Sequence, residues 1–450
     1  MRYSPLSIIN TTRHSLVASR LGILAIGLTT ISLCPQSVQA LEFNFGAVST
    51  LSPEMVSGLN RAGEAWQSVF TDDITIDISV FAQDLQSDSL GSFNPNRTSV
   101  SYQDFVSALS NDTGLSPDDV TAISSLPKSN DFDILLNPEF DLLINGTRNH
   151  PSGQAGDLTP YVDMDGDCNN TSVRLTTANA KALGLPRSGT SNCGSAPSTL
   201  SDGMLVFNTT TPWDFDPTDG IDPDSFDFVG LATQGLGVTL GMVSGVDVIE
   251  LNTDITTMPP VAFNDDVLSF VSPSDLFRFS ADSLELAPLN SSTSLIDWTT
   301  GRADEQGQEI DKYFSIDGGQ TKIASFSTGQ IFGDGNRASS WKADEFTGTY
   351  LGIFEPTPDV GQRLFLTEND RRLMDVTGWD LNPAFWPREP DNAQPPNPPS
   401  RPNPPSPKPP TRPPNSTAVP EAGHGLGAAI LVAIALGRFF MGRNRPQKRF

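Results

Sequence analysis

Between residues 41 and 386, short runs that alternate polar and apolar residues are interspersed with longer runs whose apolar residues recur every three or four positions. Alternation is typical of a strand with one buried face, and the longer spacing is typical of an amphipathic helix. The alternating or apolar runs predict strands at 41–48, 74–82, 131–137 and 204–209, and a hairpin over 313–327. Helical spacing predicts helices at 52–70, 101–110, 116–125, 177–183, 225–242 and 368–376. This mixture predicts an α+β fold, with the helix at 225–242 in the middle of the core.

The two ends of the 450-residue chain have different patterns. Residues 1–40 contain three arginines, an apolar run at 21–33 and small residues at 38 and 40, which is the pattern of a secretory signal peptide cleaved after Ala40. A retained membrane anchor is the alternative, but the apolar run is short for a membrane span. We therefore expect an exported protein whose globular part, residues 41–386, is one large domain or two closely joined lobes.

Cysteine content and net charge agree with export. Cys34 would leave with the signal peptide, so Cys168 and Cys193 remain, and we predict that they form a disulfide, with two free thiols as the alternative. The formal net charge of −25 argues against nucleic acid as a partner, because phosphates would repel such a surface. It fits a soluble extracellular protein.

Residues 387–418 are rich in proline, with half of the 28 residues from Pro387 to Pro414 being proline. Such a segment favours polyproline II and predicts a semi-rigid linker. The last segment, 419–450, contains Val-Pro-Glu, an apolar stretch at 425–437 and a basic tail. It resembles the PEP-CTERM sorting signal of bacteria that secrete exopolysaccharide, although Ala422 replaces the second proline and Arg438 comes early. The resemblance implies a C-terminal transmembrane segment, a sorting enzyme as partner, and a location in the cell envelope or extracellular matrix.

A second resemblance is carried by short blocks on both sides of the uncharged segment 228–246. They are Asp219-Gly220, Phe228-Val229-Gly230, Leu240-Gly241 and Val243-Ser244-Gly245-Val246-Asp247, followed by 272–283, 313–319 and 333–344. In this order they resemble a family of exported bacterial zincin-type metalloproteases, many of which end in the same sorting signal. The resemblance covers most of residues 41–382 and implies a zincin-like fold with the helix at 225–242 as its active-site helix.

The positions that carry the family's chemistry differ in this chain. A zincin helix has the motif His-Glu-x-x-His, in which two histidines one turn apart bind zinc and the glutamate activates the zinc-bound water. The resemblance places Gln234 and Val238 at the histidines, Gly235 at the glutamate, Ser340 at the third histidine and Phe354 at the methionine below the metal. None of these side chains can replace the zinc ligands or the glutamate that activates the bound water, so we expect no zinc and no proteolysis.

Calcium is the cofactor that the sequence leaves open. Asp163, Asp165 and Asp167 alternate around Gly166 like the first half of a calcium loop, but an EF-hand is excluded because Arg174 occupies its twelfth position. Asp216, Asp219 and Asp222 belong to a second acidic run at 213–227. Calcium at either cluster is a hypothesis, with a solvated acidic turn as the alternative.

These observations favour an inactive member of the zincin-type family, a binding or structural module whose partner is a protein or polysaccharide at the cell surface. The first alternative is an active zinc endopeptidase with unrecognised ligands, and the second is a hydrolase that uses paired carboxylates. A Ser-His-Asp triad is disfavoured, because its histidine would have to be His150, which we expect to be exposed in a turn.

Overall fold

The computed structural model describes residues 41–112, 114–127, 139–194, 196–197, 199–253, 262–287, 295–301 and 309–386. The predicted signal peptide (1–40), strand 131–137, proline-rich linker (387–418) and sorting segment (419–450) lie outside the described residues. Within the described ranges, no helix combines the length and the apolar character that crossing a membrane requires.

The described residues form a mixed α+β fold, which confirms the predicted fold class. They contain ten α-helices and fourteen β-strands, besides four short 3-10 helices. The helices are α1 Pro53–Gln67, α2 Tyr102–Ser110, α3 Pro117–Ser125, α4 Cys168–Thr171, α5 Thr177–Ala182, α6 Phe228–Leu240, α7 Val246–Asn252, α8 Ala281–Glu285, α9 Asp344–Thr347 and α10 Glu368–Val376. The strands are β1 Glu42–Gly46, β2 Thr75–Gln83, β3 Gly91–Pro95, β4 Arg97–Ser101, β5 Leu142–Ile144, β6 Tyr161–Asp163, β7 Ser172–Thr176, β8 Gly203–Asn208, β9 Trp213–Asp214, β10 Phe226–Asp227, β11 Arg278–Phe279, β12 Ile296–Asp297, β13 Lys312–Phe314 and β14 Ala324–Phe326.

The largest sheet has the strand order β1-β2-β8-β3. Strands β1, β2 and β8 run parallel, and α1 makes the connection from β1 to β2, as parallel neighbours require. The edge strand β3 runs antiparallel to β8, with Phe93 opposite Leu205. In β2 the buried residues Ile76, Ile78 and Val80 alternate with more exposed ones, as the sequence pattern predicted.

Helix α6 is the most deeply buried long helix among the described elements, and it packs against α1 and β3. Its backbone begins at Phe228 because the Asp227 carboxylate accepts a hydrogen bond from the Gly230 N–H, an N-cap, and it ends before Gly241, whose φ of 149° favours glycine. It is therefore shorter than the predicted 225–242. Phe226 and Asp227 instead form β10, which pairs with Trp213 and Asp214.

The other sheets contain both predicted and unpredicted strands. The hairpin over 313–327 is confirmed, since β13 pairs antiparallel with β14, and β11 lies on the other side of β13. Among the described elements of the whole fold, strands β3 to β7 and β9 to β12 and helices α4, α7, α8 and α9 were not predicted. Strand β4 pairs with β7, with Val100 opposite Val173, although the two segments are more than seventy residues apart in sequence.

Cys168 and Cys193 form the predicted disulfide, with their Cα atoms 5.7 Å apart. The bond ties α4 to the loop that precedes β8, across 25 positions of sequence.

We expect replacement of both cysteines by alanine to lower the free energy of unfolding by roughly 3–4 kcal/mol. Opening a cross-linked loop of this length gives the unfolded chain more conformational entropy. Denaturant titrations of the oxidised protein and of the double variant measure the difference. The same double variant compared with and without reductant is the control, because without the two cysteines the reductant should have no effect.

Candidate functional site

One cavity brings together side chains from α6, from the loop at 337–341, from the turn at 353–356 and from strands β3 and β4. Gln234, Val238, Ser340 and Phe354 all line it. These are the three positions at which the family resemblance would place a zinc ligand and the one at which it would place the residue under the metal, whereas Gly235, at the position of the general base, is not among the lining residues. Gln234 and Val238 are one helical turn apart, so both face the cavity from the same side of α6.

Gln234 holds α6 against the turn that carries Phe354. Its side-chain nitrogen donates hydrogen bonds to the Ile353 carbonyl at 2.9 Å and to the Glu355 carbonyl at 2.8 Å. The side chain is 5 % exposed, and its Oε1 atom has no hydrogen-bond donor among the described residues. A buried acceptor without a donor costs free energy, so the two hydrogen bonds from the Gln234 nitrogen are made at the expense of one unsatisfied oxygen.

Gly235 is closed off from the cavity by an aromatic ring. A Cβ atom at this position would lie 2.8 Å from Cε1 and 2.9 Å from Cδ1 of Phe93. Phe93 is 3 % exposed and packs edge-on against Phe207 of β8. A glutamate at 235 therefore cannot be accommodated unless the Phe93 ring moves.

Phe354 fills the space beneath the helix. A Cβ atom at Gly237 would lie 2.6 Å from its Cζ, and its ring centroid is 6.4 Å from that of Trp66. Trp66 in turn donates from Nε1 to the Thr233 carbonyl at 2.8 Å. Phe354 thus lines the cavity, and Trp66 fixes the position of α6 through its hydrogen bond to the Thr233 carbonyl.

The loop that carries Ser340 is positioned from α7. Asp247 accepts a hydrogen bond from the Ala338 N–H at 2.7 Å. The Ser340 carbonyl accepts from the Ser327 N–H, and the next residue, Trp341, is fully buried and donates to Asp370 at 2.7 Å.

Asp247 is the single carboxylate among the described residues that line the cavity, and none of them is a histidine or cysteine. This donor set does not fit a catalytic zinc ion.

Two arginines that sequence reasoning missed, Arg97 of β4 and Arg337, also line the cavity. Burial lowers the pKa of Arg97 to about 10, the Asp247 charge opposes this shift, and the Arg337 charge adds to it. Arg97 remains protonated at neutral pH at that value. No local pattern in the sequence connects residues 97 and 337. Arg97 is placed by the pairing of β4 with β7, and the loop that contains Arg337 is held by Asp247 of α7, so both positions depend on residues far away in the sequence.

His150 is not at this cavity, and it is buried rather than exposed as we expected. Its Nε2 is 2.6 Å from the Thr159 carbonyl, and its Nδ1 is 2.8 Å from the Ser152 hydroxyl. Ser152 donates in turn to Asp157, so the serine lies between the histidine and the carboxylate. In a catalytic triad the histidine occupies the middle position, so this arrangement only stabilises the loop.

A second site is formed by acidic residues from two distant loops. Asp165, Asp167 and Asp266 each offer a carboxylate oxygen within 4.8 Å of the others. Asp163 precedes them on β6, is 4 % exposed, and has one oxygen, Oδ2, without a hydrogen-bond partner among the described residues, as does Asp167. Burial and the neighbouring Asp265 and Asp165 charges raise the pKa of Asp163 to about 7. Burial and nearby carboxylates raise the pKa of Asp167 to about 6.

The acidic run at 213–227 is organised differently. The Asp214 carboxylate accepts hydrogen bonds from the backbone N–H groups of Asp216 and Asp222, and Asp216 forms an exposed ion pair with Arg61 at 3.3 Å. Within the described part of the chain, the predicted ligands Asp216, Asp219 and Asp222 do not converge on one point as the Asp165 group does. The carboxylates of this run therefore fix a loop and cap α6.

Comparison of the chain with protein-family models, with curated proteins and with solved structures found no match in any of the three. The described residues define a mixed α+β protein with a buried helix, α6, beside a cleft whose described lining includes two arginines and three serines and no histidine.

Proposed function

We propose that the protein is a catalytically inactive, zincin-like binding module that acts outside the cell, at the envelope or in the extracellular matrix. In this proposal the cavity beside α6 is a former active site that binds a ligand without hydrolysing it. The partner is a protein or polysaccharide at the cell surface, and the C-terminal segment anchors the protein to the membrane or delivers it to a sorting enzyme.

The observation that supports the proposal is the convergence of four positions from three separate segments. Gln234 and Val238 of α6, Ser340 of the following loop and Phe354 of the later turn were assigned by their places in the sequence, yet all four line one cavity. A chance alignment of short blocks has no reason to place these residues around a common space.

The side chains at the cavity also support the absence of catalysis. Zinc sites in hydrolases use histidine, cysteine and carboxylate ligands and keep one position open for water. Here an amide, a methyl-bearing side chain and a hydroxyl occupy the three ligand positions, and the Phe93 ring occupies the space of the general base. The amide of Gln234 instead has a packing role through its bonds to the 353–355 turn.

We expect the purified full chain to contain less than one tenth of a zinc atom per molecule and to leave casein uncleaved. Elemental analysis and a fluorescent casein assay, with and without zinc in the buffer, test this. The matched control is the Val238→Ala variant, whose background signal should equal that of the wild type. Stoichiometric zinc together with cleavage that a chelator abolishes and that Val238→Ala retains would show that the protein is an active endopeptidase with other ligands.

We also propose that the cluster of Asp165, Asp167 and Asp266 binds calcium, with Asp163 at the end of β6 beside it. Oxygen ligands are those that calcium prefers, and a divalent cation would remove the repulsion among these carboxylates. Asp163 and Asp167 supply buried oxygens that lack any donor among the described residues, which supports a cation rather than a solvated turn. The ion would join the loop after β6 to the loop at 265–267 and so stabilise the domain.

A further inference from the structure

Two buried carboxylates meet where α3 packs against α10. Asp119 of α3 is 5 % exposed and Asp375 of α10 is 1 % exposed. Both contact Ser116, the residue that caps α3. The Ser116 backbone N–H donates to Asp119 Oδ2 at 2.8 Å, and its hydroxyl donates to Asp375 Oδ2 at 2.6 Å. One serine therefore brings the two acidic side chains together between helices that are far apart in the sequence.

Each of these two carboxylates has one oxygen that lacks a donor. Asp119 Oδ1 and Asp375 Oδ1 are buried, and neither accepts a hydrogen bond from the described residues. Two ionised carboxylates at a buried site repel each other, and burial removes the water that solvates such oxygens at the surface. A protonated carboxyl group donates a hydrogen bond, so one proton held between the two side chains would satisfy both oxygens and remove one of the two charges.

The charged and titratable groups on the surrounding helices are engaged elsewhere. On α10, Arg372 donates from Nε and Nη2 to the Asp118 carboxylate at 2.6 and 3.1 Å, and Arg371 lies over an aromatic ring. Helix α3 itself contains no basic residue. On α2, which also packs against α3, Tyr102 donates to a backbone carbonyl and Asp104 accepts from the serine that caps α2. These three helices therefore supply no ion pair to the two carboxylates.

The other acidic groups near the two carboxylates add negative charge. Asp118 and Asp112, which precedes α3, both act on Asp119 through their charges, and Asp112 also interacts with Asp380, which follows α10. Burial is the largest cause that raises the pKa of both Asp119 and Asp375, and together with the Asp119 charge it raises the pKa of Asp375 to about 9. The surroundings thus favour a proton at this site in neutral solution.

We propose that Asp119 and Asp375 share one proton and form a pH-sensitive clasp between α3 and α10. Opening the clasp releases this proton to water and leaves two carboxylates at one buried site. The unfolded chain gives up the same proton at about pH 4, so the stability that the clasp contributes is complete only below that pH. It is lost as pH rises toward about 9, where the folded clasp itself is deprotonated.

The clasp is connected to the cavity through α10. Asp370 of the same helix accepts from the Trp341 indole N–H at 2.7 Å and from the Ile353 N–H at 2.9 Å. These residues belong to the loop and the turn that supply Ser340 and Phe354 to the cavity. Alkaline pH would therefore loosen the helix that holds both segments, whether or not the cavity binds a ligand.

The first test is the melting temperature of the full chain at about pH 6 and about pH 9, with a chelator present so that calcium does not contribute. Asp375→Asn places an amide N–H where the shared proton lies, so its clasp no longer depends on pH. Between the two pH values we expect the wild type to lose about 5 °C more than this variant, because the folded wild type gives up one more proton. Asp119→Asn should behave like Asp375→Asn. The matched control Asp216→Asn, which removes an exposed charge, should follow the wild type.

The second test detects the proton itself. A protonated carboxyl group has an infrared carbonyl band that a carboxylate lacks, and at about pH 8 ordinary acidic side chains are ionised. This band should be weaker in Asp375→Asn and Asp119→Asn than in the wild type and unchanged in Asp216→Asn. An equal band in all four proteins, or an equal loss of melting temperature, would overturn the inference. So would a wild type that lacks the band and gains stability from calcium in a manner that Asp375→Asn abolishes, because the two carboxylates would then bind a cation.

Discussion

The triple variant Gln234→His, Val238→His and Ser340→His is expected to retain one zinc ion per chain through dialysis, where the wild type retains none. The three positions line one cavity, and the first two are one turn apart on α6, as paired histidine ligands must be. Elemental analysis of the dialysed protein measures the gain. The double variant Gln234→His, Ser340→His is the matched control, and it should lose most of the ion because one ligand is missing.

The glutamate must be restored separately, because Gly235 and Phe93 are in direct contact. With Gly235 retained, the triple variant should bind zinc but leave casein intact, since no side chain at 235 can deprotonate a bound water. Adding Gly235→Glu alone should destabilise the fold by forcing the Phe93 ring out of its place. Adding Gly235→Glu together with Phe93→Ala should bring measurable, chelator-sensitive cleavage.

The triple variant also loses the two hydrogen bonds from Gln234 to the Ile353 and Glu355 carbonyls, so a lower melting temperature is expected without zinc and recovery with it. Folding is checked by circular dichroism. A triple variant that folds and yet binds no zinc would mean that these positions do not correspond to the ligands of a metalloprotease.

The sequence was sufficient for elements whose pattern is complete within their own residues. Strand β2 alternates buried and exposed residues, and α6 is uncharged throughout with an aspartate at its cap, so both were predicted near their observed positions. The predicted helix at 225–242 was too long by a few residues, because β-pairing of Phe226 with Trp213 competes with helix formation and depends on a residue outside the helix. Strands β3 and β4 were missed for the same reason, since their short, polar sequences are held by β8 and β7.

The candidate site likewise contains residues that the sequence identified and residues that only the fold brings in. Gln234, Val238, Ser340 and Phe354 could be assigned because each lies inside a block of sequence with a recognisable order. Phe93, Arg97 and Arg337 could not, because they reach the cavity through sheet pairing and loop contacts. In the acidic site, Asp163, Asp165 and Asp167 form a visible local pattern, whereas Asp266 lies about a hundred positions further along and is brought in by the fold.

Calcium is expected to stabilise the protein, and the effect should grow as pH rises. The folded-state pKa values of Asp163 and Asp167, about 7 and about 6, lie above the ordinary value of 3.8. Without calcium the folded state therefore holds more protons than the unfolded state between about pH 4 and pH 7, and these two groups lower stability as pH rises through that window. Calcium needs the ionised carboxylates, so its binding competes with protons and becomes strong above pH 7.

At pH 7.5 and a calcium concentration about 100-fold above the dissociation constant, the free energy of unfolding should rise by about 2.7 kcal/mol. This corresponds to roughly 4 °C in melting temperature for a domain of this size. At pH 5 the shift should be much smaller. Differential scanning calorimetry at both pH values, with calcium or with chelator, measures it.

The Asp266→Asn variant separates this site from general screening of a protein with net charge −25. It removes one charge from the ligand that the second loop contributes, so we expect about a ten-fold loss of calcium affinity. Asp216→Asn removes the same charge from the other acidic run, where Asp216 faces solvent beside Arg61, and it should leave calcium affinity unchanged. If both variants weaken calcium equally, or if the wild type gains no stability from calcium at pH 7.5, the Asp163–Asp167 loop is a solvated acidic turn. A selective loss in Asp266→Asn would instead show that calcium holds together two loops that are far apart in the sequence.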